Sequence, residues 1–313
     1  QIIPELVKVA DSVKVFQRTP GWVLPRLNAR TSSLFKRILT DVPLAQKAVR
    51  AAWYWGHESV ALGVVWDTPL TRLVETLSTA NLRLQVKDPW LRRQLTPDFS
   101  AGCKRLLMTS EYYPALQADN CKLVTWPIAR LSAKGIRTVE GIEHQFDAIV
   151  FATGFDVSKA GTPFRITGAD GRDLASEWSR GAFAYRSVAV SGYPNLYFTF
   201  GPNSGPGHNS ALVYMEAQID YIVEAISKLF QFGWKALDVR PEAQDRYNEN
   251  IQQRLQSTTW NSGCQSWYLT EDGFNATMFP GFATQYVNQL KTVDLDDFKI
   301  TAAQSQSGLV PAG

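Results

Sequence analysis

The chain has 313 residues, 45% of them hydrophobic, which is enough to bury a sizeable core in one large or two moderate domains. Its net charge is +3 and its 32 basic residues are scattered, so neither nucleic acid nor a membrane surface is the expected partner, and a small-molecule site is favoured. The sequence contains no apolar run of about 18 residues, so no membrane span is predicted. Cys103, Cys121 and Cys264 are too few and too dispersed for a disulfide framework or a metal site, which favours a reducing, cytoplasmic location.

The first segment resembles the second half of a βαβ unit. Residues 1–10 are amphipathic with a helical period, and Val13–Phe16 alternates as a strand does. At the end of the second strand of a dinucleotide-binding unit, an acidic residue accepts the ribose of NAD, whereas an Arg accommodates the 2′-phosphate of NADP. Arg18 stands there, followed by Thr19, so NADPH is favoured if this is a nucleotide domain. The alternative is a solvated Arg at a strand end.

The middle of the chain alternates helical and extended patterns. Residues 28–85 have a helical period broken at Pro43 and Pro69, and residues 89–102 look like a loop. Lys104 and Arg105 follow that loop, either as a solvated turn or as cations that hold an anion. The later patterns predict a helix at 112–116, a strand at 121–124 and, over 128–139, a hairpin that turns at residues 134–135.

Two further stretches predict ligand-binding strand ends. In 147–156, the apolar run 148–151 predicts a strand buried on both faces, and Ala152, Thr153 and Gly154 predict a turn at the ligand-binding edge of a parallel sheet. An ordinary buried strand with a glycine turn is the alternative.

The second stretch joins a predicted strand at 196–200 to a predicted helix at about 211–230 through the Gly-rich run 201–210. This arrangement offers free N–H groups to a ligand. Gly205 and Gly207 would leave room for a flat cofactor, and Asn203 or Asn209 would bond its edge, unless the run is only a structural loop. Beyond it, residues 241–256 predict a helix, 260–281 either cap a pocket or cover the surface, and the tail after residue 300 is expected to be disordered.

Five blocks, in this order, resemble the flavin-dependent Baeyer–Villiger monooxygenases, which are class B flavoproteins related to the flavin-containing monooxygenases. The blocks are residues 15–26, 102–105, 147–156, 201–209 and 266–268. The resemblance implies an α/β fold with two Rossmann-like dinucleotide-binding domains, incomplete in this chain, and a helical insert at about 28–85. The remainder of the NADPH-binding domain would be residues 1–150, the C-terminal part of the FAD-binding domain 151–300, and a disordered tail 301–313.

The resemblance also implies roles for individual residues. Arg18 and Thr19 would hold the 2′-phosphate of NADPH, Lys104 would lie near that cofactor, and Arg105 would be the catalytic arginine. Residues 152–154 would form the crossing between the domains, residues 203–209 with Asn203, Gly205, Gly207 and Asn209 would follow the flavin ring, and Trp267 would belong to a loop over the substrate pocket. NADPH would reduce FAD, O2 would add to give a C4a-peroxyflavin, and this would attack a ketone or a soft heteroatom. No metal is implied.

Departures from the family pattern leave alternatives open. The two glycine turns that bind FAD and NADPH, and the fingerprint between them, are absent, so the chain resembles the C-terminal part of a longer protein. We expect that it does not hold FAD tightly or turn over by itself. An N- or S-oxygenating flavin-containing monooxygenase and a catalytically dead remnant that only binds are the other interpretations. A disulfide oxidoreductase is disfavoured because no cysteine pair has redox spacing.

Overall fold

The structure is a computed structural model that describes residues 1–26, 31–154, 162, 164–263 and 266–302. Its contacts divide the chain into two compact units. The first contains residues 1–47 and 62–154, and the second contains residues 48–61 and the described residues from 162 onward. The domain boundary near residue 150 stays a prediction. The division by contacts adds that residues 48–61, inside the predicted helical insert, group with the second unit.

Helices fill much of the first part of the chain, as their apolar period predicts. They are α1 (Ile2–Leu6), α2 (Ser33–Asp41), α3 (Pro43–Val64), α4 (Pro69–Gln85), α5 (Pro89–Gln94) and α6 (Tyr112–Leu116). Pro43 and Pro69 begin helices, because the first turn tolerates a missing N–H. The helical insert is therefore confirmed from Ser33 to Gln85, while residues 27–30 lie outside the described part. The predicted loop at 89–102 is wrong at its start, where Asp88 caps α5.

Short strands complete the first unit. β1 (Val13–Phe16) pairs in parallel with β4 (Cys121–Val124), and β2 (Val23–Leu24) with β3 (Leu107–Met108). β5 (Ile128–Ser132), β6 (Gly135–Thr138) and β7 (Glu143–Gln145) form an antiparallel sheet, which confirms the predicted hairpin. Gly135 belongs to β6 rather than to the turn. A Cβ there would lie 1.9 Å from the carbonyl oxygen of His144, so only glycine fits.

One hydrophobic cluster connects the parallel strands to the helices of this unit. Its buried members are Val23, Leu82, Val86, Leu95, Tyr113, Leu116 and Leu123. The buried side chain of Asn81 donates from Nδ2 to the Val23 carbonyl at 3.2 Å, which fixes α4 against β2. A buried polar group costs free energy unless it is hydrogen-bonded, as the Asn81 amide and the Val23 carbonyl are here.

The predicted buried strand at 148–151 is wrong. These residues form no strand, and Val150 and Phe151 are 58% and 68% exposed. An apolar run becomes a doubly buried strand only when neighbouring strands flank it. Within the part of the chain that the structure describes, no strand pairs with this run. Residues 155 and 156, at the end of the predicted block, lie outside the description.

The second unit contains α7 (Leu174–Glu177), α8 (Ala211–Phe232), β8 (Trp234–Val239), α9 (Pro241–Leu255), α10 (Ala283–Gln289) and β9 (Phe298–Ala302). β8 and β9 pair in antiparallel fashion. A cluster of Leu174, Trp178, Ala184, Val190 and Tyr193 forms part of the core. The long helices at 211 and 241 are confirmed. Residues 301 and 302 belong to β9, so the predicted disordered tail begins too early, and residues 303–313 lie outside the described part.

The second predicted strand, at 196–200, is also wrong. Only Tyr197 pairs there, through an isolated antiparallel bridge to Ala189. Asn195 and Phe200, on either side, have left-handed backbones with φ of 61° and 58°. Residues with φ above zero cannot continue an extended strand, so the apolar run is cut at both ends.

Two further observations bear on the expected environment. Cys103 is disulfide-bonded, whereas Cys121 is a free, half-buried thiol. The preference for a reducing compartment therefore gains no support from Cys103. No helix among the described residues is both long and apolar enough to span a bilayer.

Candidate functional site

The first group of predicted site residues begins directly after β1. Gln17 extends the strand, because its N–H donates to the Val124 carbonyl at 3.0 Å and its Oε1 accepts from the Tyr112 hydroxyl at 2.9 Å. Arg18, which is exposed, and Thr19, which is half-buried, follow. Since β1 and β4 are parallel and in register, Arg18 lies at the carboxyl edge of this strand pair. Ligands of α/β sheets bind at such edges.

The loop before β3 has a fixed backbone. Trp22 Nε1 donates to the Phe99 carbonyl at 2.7 Å, and the Ala101 N–H donates to the carboxylate of Glu75 at 2.9 Å. Gly102 has φ of +94°, which other residues rarely adopt. The loop therefore presents the two residues that follow it, Lys104 and Arg105, from a defined position.

Lys104 lies close enough to Arg18 for their charges to interact. Its Nζ lies 4.8 Å from the centroid of the Phe99 ring. Burial lowers the pKa of Lys104, the positive charge of Arg18 lowers it further, and Asp98 opposes the shift. Among the described residues neither cation forms an ion pair. An anion that reached both unpaired cations would form charge-assisted hydrogen bonds with them. Arg105 is exposed and belongs to the same unit.

Residues 152–154, the predicted crossing, are exposed and irregular. Gly154 has φ of +92°, and a Cβ added to it would meet nothing within 4 Å, so its backbone conformation, and not space, calls for glycine. The assignment of Ala152, Thr153 and Gly154 to a crossing stays a prediction.

The second group lies on a loop of the second unit, residues 203–209, here called the 203–209 loop. Its first part is paired by backbone with a later segment. The N–H of Asn203 donates to the Ala276 carbonyl and that of Gly205 to the Thr277 carbonyl, both at 2.8 Å, and the Phe279 N–H donates back to Gly205 at 3.0 Å. The loop is therefore anchored at its start.

Asn203 is a structural residue of this anchor. It is buried, with φ of 54°, and its Nδ2 donates to the carbonyls of Asn275 at 2.7 Å and Met278 at 3.1 Å. Its Oδ1 is buried without a partner among the described residues. Its side-chain N–H groups are thus used within the protein, and a contact with a cofactor could come only from Oδ1 or from the backbone.

Gly205 and Gly207 are required for a different reason from the one predicted from sequence. A Cβ on Gly205 would lie 2.7 Å from the Thr277 carbonyl oxygen, and one on Gly207 would lie 2.6 Å from the Trp260 ring. Packing within the protein therefore requires both glycines, whether or not a cofactor approaches. The backbone N–H groups of residues 207–209 make no hydrogen bond within the described part of the chain. These free donors, with Asn203 Oδ1, fit a polar ligand alongside the loop.

Sequence reasoning missed the group that anchors the end of the loop. The buried carboxylate of Glu58 in α3 accepts from His208 Nε2 at 3.2 Å and from Asn209 Nδ2 at 3.3 Å, and the N–H groups of Ala283 and Thr284 donate to it at 3.2 and 2.8 Å. Asn209 is thus engaged with Glu58. A sequence signal existed, because Glu58 stands four residues after Tyr54 and three before Ala61, in the buried stripe of α3.

Trp267 is 46% exposed and its ring centroid lies 4.3 Å from that of buried Tyr268, which in turn packs at 6.3 Å against Trp260. An exposed indole held on a buried aromatic pair agrees with either of the interpretations made from sequence, a pocket cap or surface cover. Its place in a substrate pocket stays a prediction.

His208 makes the stability of the second unit dependent on pH. Its side chain is fully buried, and burial lowers its pKa below the ordinary value of 6.5, although Glu58 opposes the shift. Below about pH 6.5 the imidazole is protonated in the unfolded chain but stays neutral in the folded chain. The free energy of unfolding therefore decreases as the pH is lowered, by at most about 1.4 kcal/mol per pH unit. We expect urea unfolding between pH 7 and 5.5 to show this loss in the unsubstituted chain and a smaller loss in His208→Gln. Equal pH dependence in the two proteins would contradict the assignment.

Comparison with known proteins places this geometry in a class. No family model matches the chain. The cyclohexanone monooxygenase in its closed crystal structure superposes with a TM-score of 0.82 at 22% identity, over 97% of this chain and 65% of that one. A complex of OTEMO with FAD and NADP superposes with a TM-score of 0.80 at 21% identity, over 96% and 64%. The fold is therefore that of the flavin monooxygenases, and the predicted α/β fold, with two dinucleotide-binding domains that are incomplete in this chain, is confirmed.

Sequence comparison identifies a family within this fold class. A Baeyer–Villiger monooxygenase of Pseudomonas aeruginosa is 38% identical over 303 residues, which cover 96% of this chain and 58% of that protein. The chain belongs to the Baeyer–Villiger monooxygenase family, as its five blocks predict. It spans little more than half the length of this relative.

Proposed function

We propose that this chain supplies the NADPH-binding cations and the flavin-side loop of an FAD- and NADPH-dependent monooxygenase that inserts one atom of O2 into a ketone. The observation that carries the proposal is the unpaired Arg18 just after β1, where the resemblance assigns the NADPH phosphate, with the unpaired Lys104 near enough to feel its charge. Arg18 is exposed and free of ion pairs among the described residues, and its charge acts on the ammonium of Lys104. A 2′-phosphate between them would remove this repulsion and gain charge-assisted hydrogen bonds, with Thr19 as a further donor.

The 203–209 loop supports the flavin part of the proposal. Its free N–H groups at residues 207–209 and the unpartnered Oδ1 of Asn203 offer donors and an acceptor to an isoalloxazine edge. Gly205 and Gly207 contribute by letting the loop pack closely against its own unit. Asn209 contributes through its contact with Glu58 rather than through its side-chain amide.

Bound flavin would supply the activation of oxygen, and the chain would supply binding, charge and shielding from water. Arg105 would place a fixed positive charge where negative charge develops, which needs a group that does not lose its proton. Residues 152–154 would form the crossing next to both cofactors, and Trp267 would cover the substrate. A cytoplasmic location is part of the proposal, and the disulfide at Cys103 is the observation that argues against it.

The test uses the full-length protein that carries this chain, purified with FAD. We expect a yellow complex that oxidises NADPH in the presence of a ketone and forms an ester or lactone detected by mass spectrometry. A thioether and a tertiary amine are offered in parallel. Oxidation of these with no ester would replace the ketone assignment with heteroatom oxygenation. Absence of a flavin complex would identify a binding remnant and end the proposal.

Arg18→Ala tests the cation pair in the same protein. We expect the KM for NADPH to rise by the equivalent of about 1.5–3 kcal/mol, the typical value of hydrogen bonds to a charged group, which is roughly 10- to 150-fold. The KM for NADH, which lacks the 2′-phosphate, should hardly change.

Arg130→Ala, at an exposed position of β5, is the matched control and should leave both KM values as they are. Equal effects of Arg18→Ala on NADPH and NADH would remove the phosphate assignment.

A further inference from the structure

The proposal concerns Glu58, an acidic side chain of α3 that the fold buries almost completely. Its side chain is 5% exposed, in the part of α3 that groups with the second unit. A carboxylate costs free energy when it leaves water, unless donors replace the water. At Glu58 that replacement is extensive.

Four donors from two separate segments, residues 208–209 and 283–284, converge on the carboxylate. Oε2 accepts from His208 Nε2, from Asn209 Nδ2 and from the Ala283 N–H, and Oε1 accepts from the Thr284 N–H. Burial alone would raise the pKa of Glu58, but these hydrogen bonds outweigh it and hold the pKa below its ordinary value of 4.5. The group is therefore an ionised acceptor at neutral pH.

The histidine among these donors is neutral, as its lowered pKa indicates. With Nε2 donating to Glu58, the tautomer leaves Nδ1 as an acceptor, and Nδ1 is buried without a partner among the described residues. The imidazole therefore has one hydrogen bond that fixes its ring, and that bond goes to Glu58. Loss of the carboxylate would leave both ring nitrogens of His208 without a defined orientation.

The two anchors of the 203–209 loop enclose the residues that carry its free donors. The first anchor is the backbone pairing of Asn203 and Gly205 with residues 276–279, and the second is the contact of His208 and Asn209 with Glu58. Between them Gly207 packs on the Trp260 ring. The conformation of the free N–H groups at 207–209 is therefore set from both sides.

We propose that Glu58 is a positioning residue that sets the conformation of the 203–209 loop for flavin binding. This inference rests on the proposed function for the identity of the ligand, but the effect of Glu58 on the loop stands without it. Glu58 touches no reacting atom in this scheme. It acts through His208 and Asn209.

The first arm of the test measures amide hydrogen exchange in the 313-residue chain by NMR or by mass spectrometry of short peptides. Glu58→Gln keeps the shape but turns an N–H2 toward at least one donor. We expect the amides of Asn203 and Gly205, which do not contact Glu58, to exchange at least about tenfold faster, a change of about 1.4 kcal/mol in local opening. Glu216→Gln, at an exposed glutamate of the same unit that forms a surface ion pair with Arg50, is the matched control and should leave exchange at Asn203 and Gly205 unchanged, because exposed ion pairs contribute little to stability.

Exchange in α9 reports whether the unit is folded. If α9 exchanges faster as well, Glu58→Asp replaces Glu58→Gln, because it keeps the charge with a shorter reach, and it should restore α9 while the 203–209 loop stays faster than in the unsubstituted chain. Unchanged exchange at Asn203 and Gly205 in a folded variant would overturn the proposal.

The second arm measures FAD affinity in the full-length protein by the quenching of flavin fluorescence. We expect the Kd to rise at least about tenfold in Glu58→Gln and to stay constant in Glu216→Gln. An altered loop with unaltered FAD affinity would overturn the flavin part of the inference. If the unsubstituted protein binds no FAD, the proposed function fails, and the exchange arm still decides whether Glu58 sets the loop.

Discussion

Gly205→Ala is expected to destabilise the second unit by about 3 kcal/mol or more, even with no cofactor present. The added Cβ would lie 2.7 Å from the carbonyl oxygen of Thr277, which is backbone and cannot move aside as a side chain end would. Gly205 also exchanges two backbone hydrogen bonds with that segment, to Thr277 and from Phe279, so a shift that relieves the clash breaks pairing. Urea unfolding of the chain, followed by circular dichroism, measures the change.

Gly56→Ala is the control for this substitution. Gly56 lies inside α3 with nothing within 4 Å of an added Cβ, so alanine should stabilise the chain by about 0.5–1 kcal/mol through its helix propensity. If Gly205→Ala instead has normal stability and loses only FAD affinity, the glycine serves cofactor access and not packing.

Arg105→Ala should have the largest effect on activity. In the full-length protein we expect formation of the oxygenated product to fall by about 10²–10³, the usual cost of removing one preorganised group that stabilises developing charge. Oxidation of NADPH should continue and release hydrogen peroxide, because Arg105 is proposed to stabilise the negative charge on which oxygen transfer depends. Product yield, NADPH consumption and peroxide are measured in the same reaction.

Arg105→Lys separates charge from geometry. It keeps a positive charge but loses the planar fork, so its product yield should lie between those of the unsubstituted protein and Arg105→Ala. Arg130→Ala should behave as the unsubstituted protein does. Normal product yield in Arg105→Ala would dismiss the catalytic role of Arg105.

The helices could be predicted from sequence because their signals are local. The apolar period and the prolines of residues 33–85 lie in the helices themselves, and Pro43 and Pro69 stand at their first turns. Strand burial is not local in this sense. The run 148–151 has the composition of a central strand, yet no strand among the described residues pairs with it. The run 196–200 is interrupted by residues with a left-handed backbone, which its composition does not predict.

The candidate site divides in the same way. Arg18 at a strand end and the glycines of the 203–209 loop could be found from sequence, because strand ends and glycines are visible there. What fills the space beside a glycine depends on residues far along the chain, such as Trp260 next to Gly207. Glu58 and His208 are 150 residues apart, so their contact has no signature in either segment beyond an acidic residue in an apolar stripe.

The exposed run at 148–151 has a practical consequence for work with the isolated chain. Its backbone amides and carbonyls have no hydrogen-bond partner among the described residues, and its side chains include Ile149, Val150 and Phe151, all substantially exposed. An unpaired apolar segment of this composition is a template for intermolecular β-pairing. We therefore expect the isolated chain to self-associate through this run as its concentration rises, and expect dilute, cold solutions to keep it monomeric.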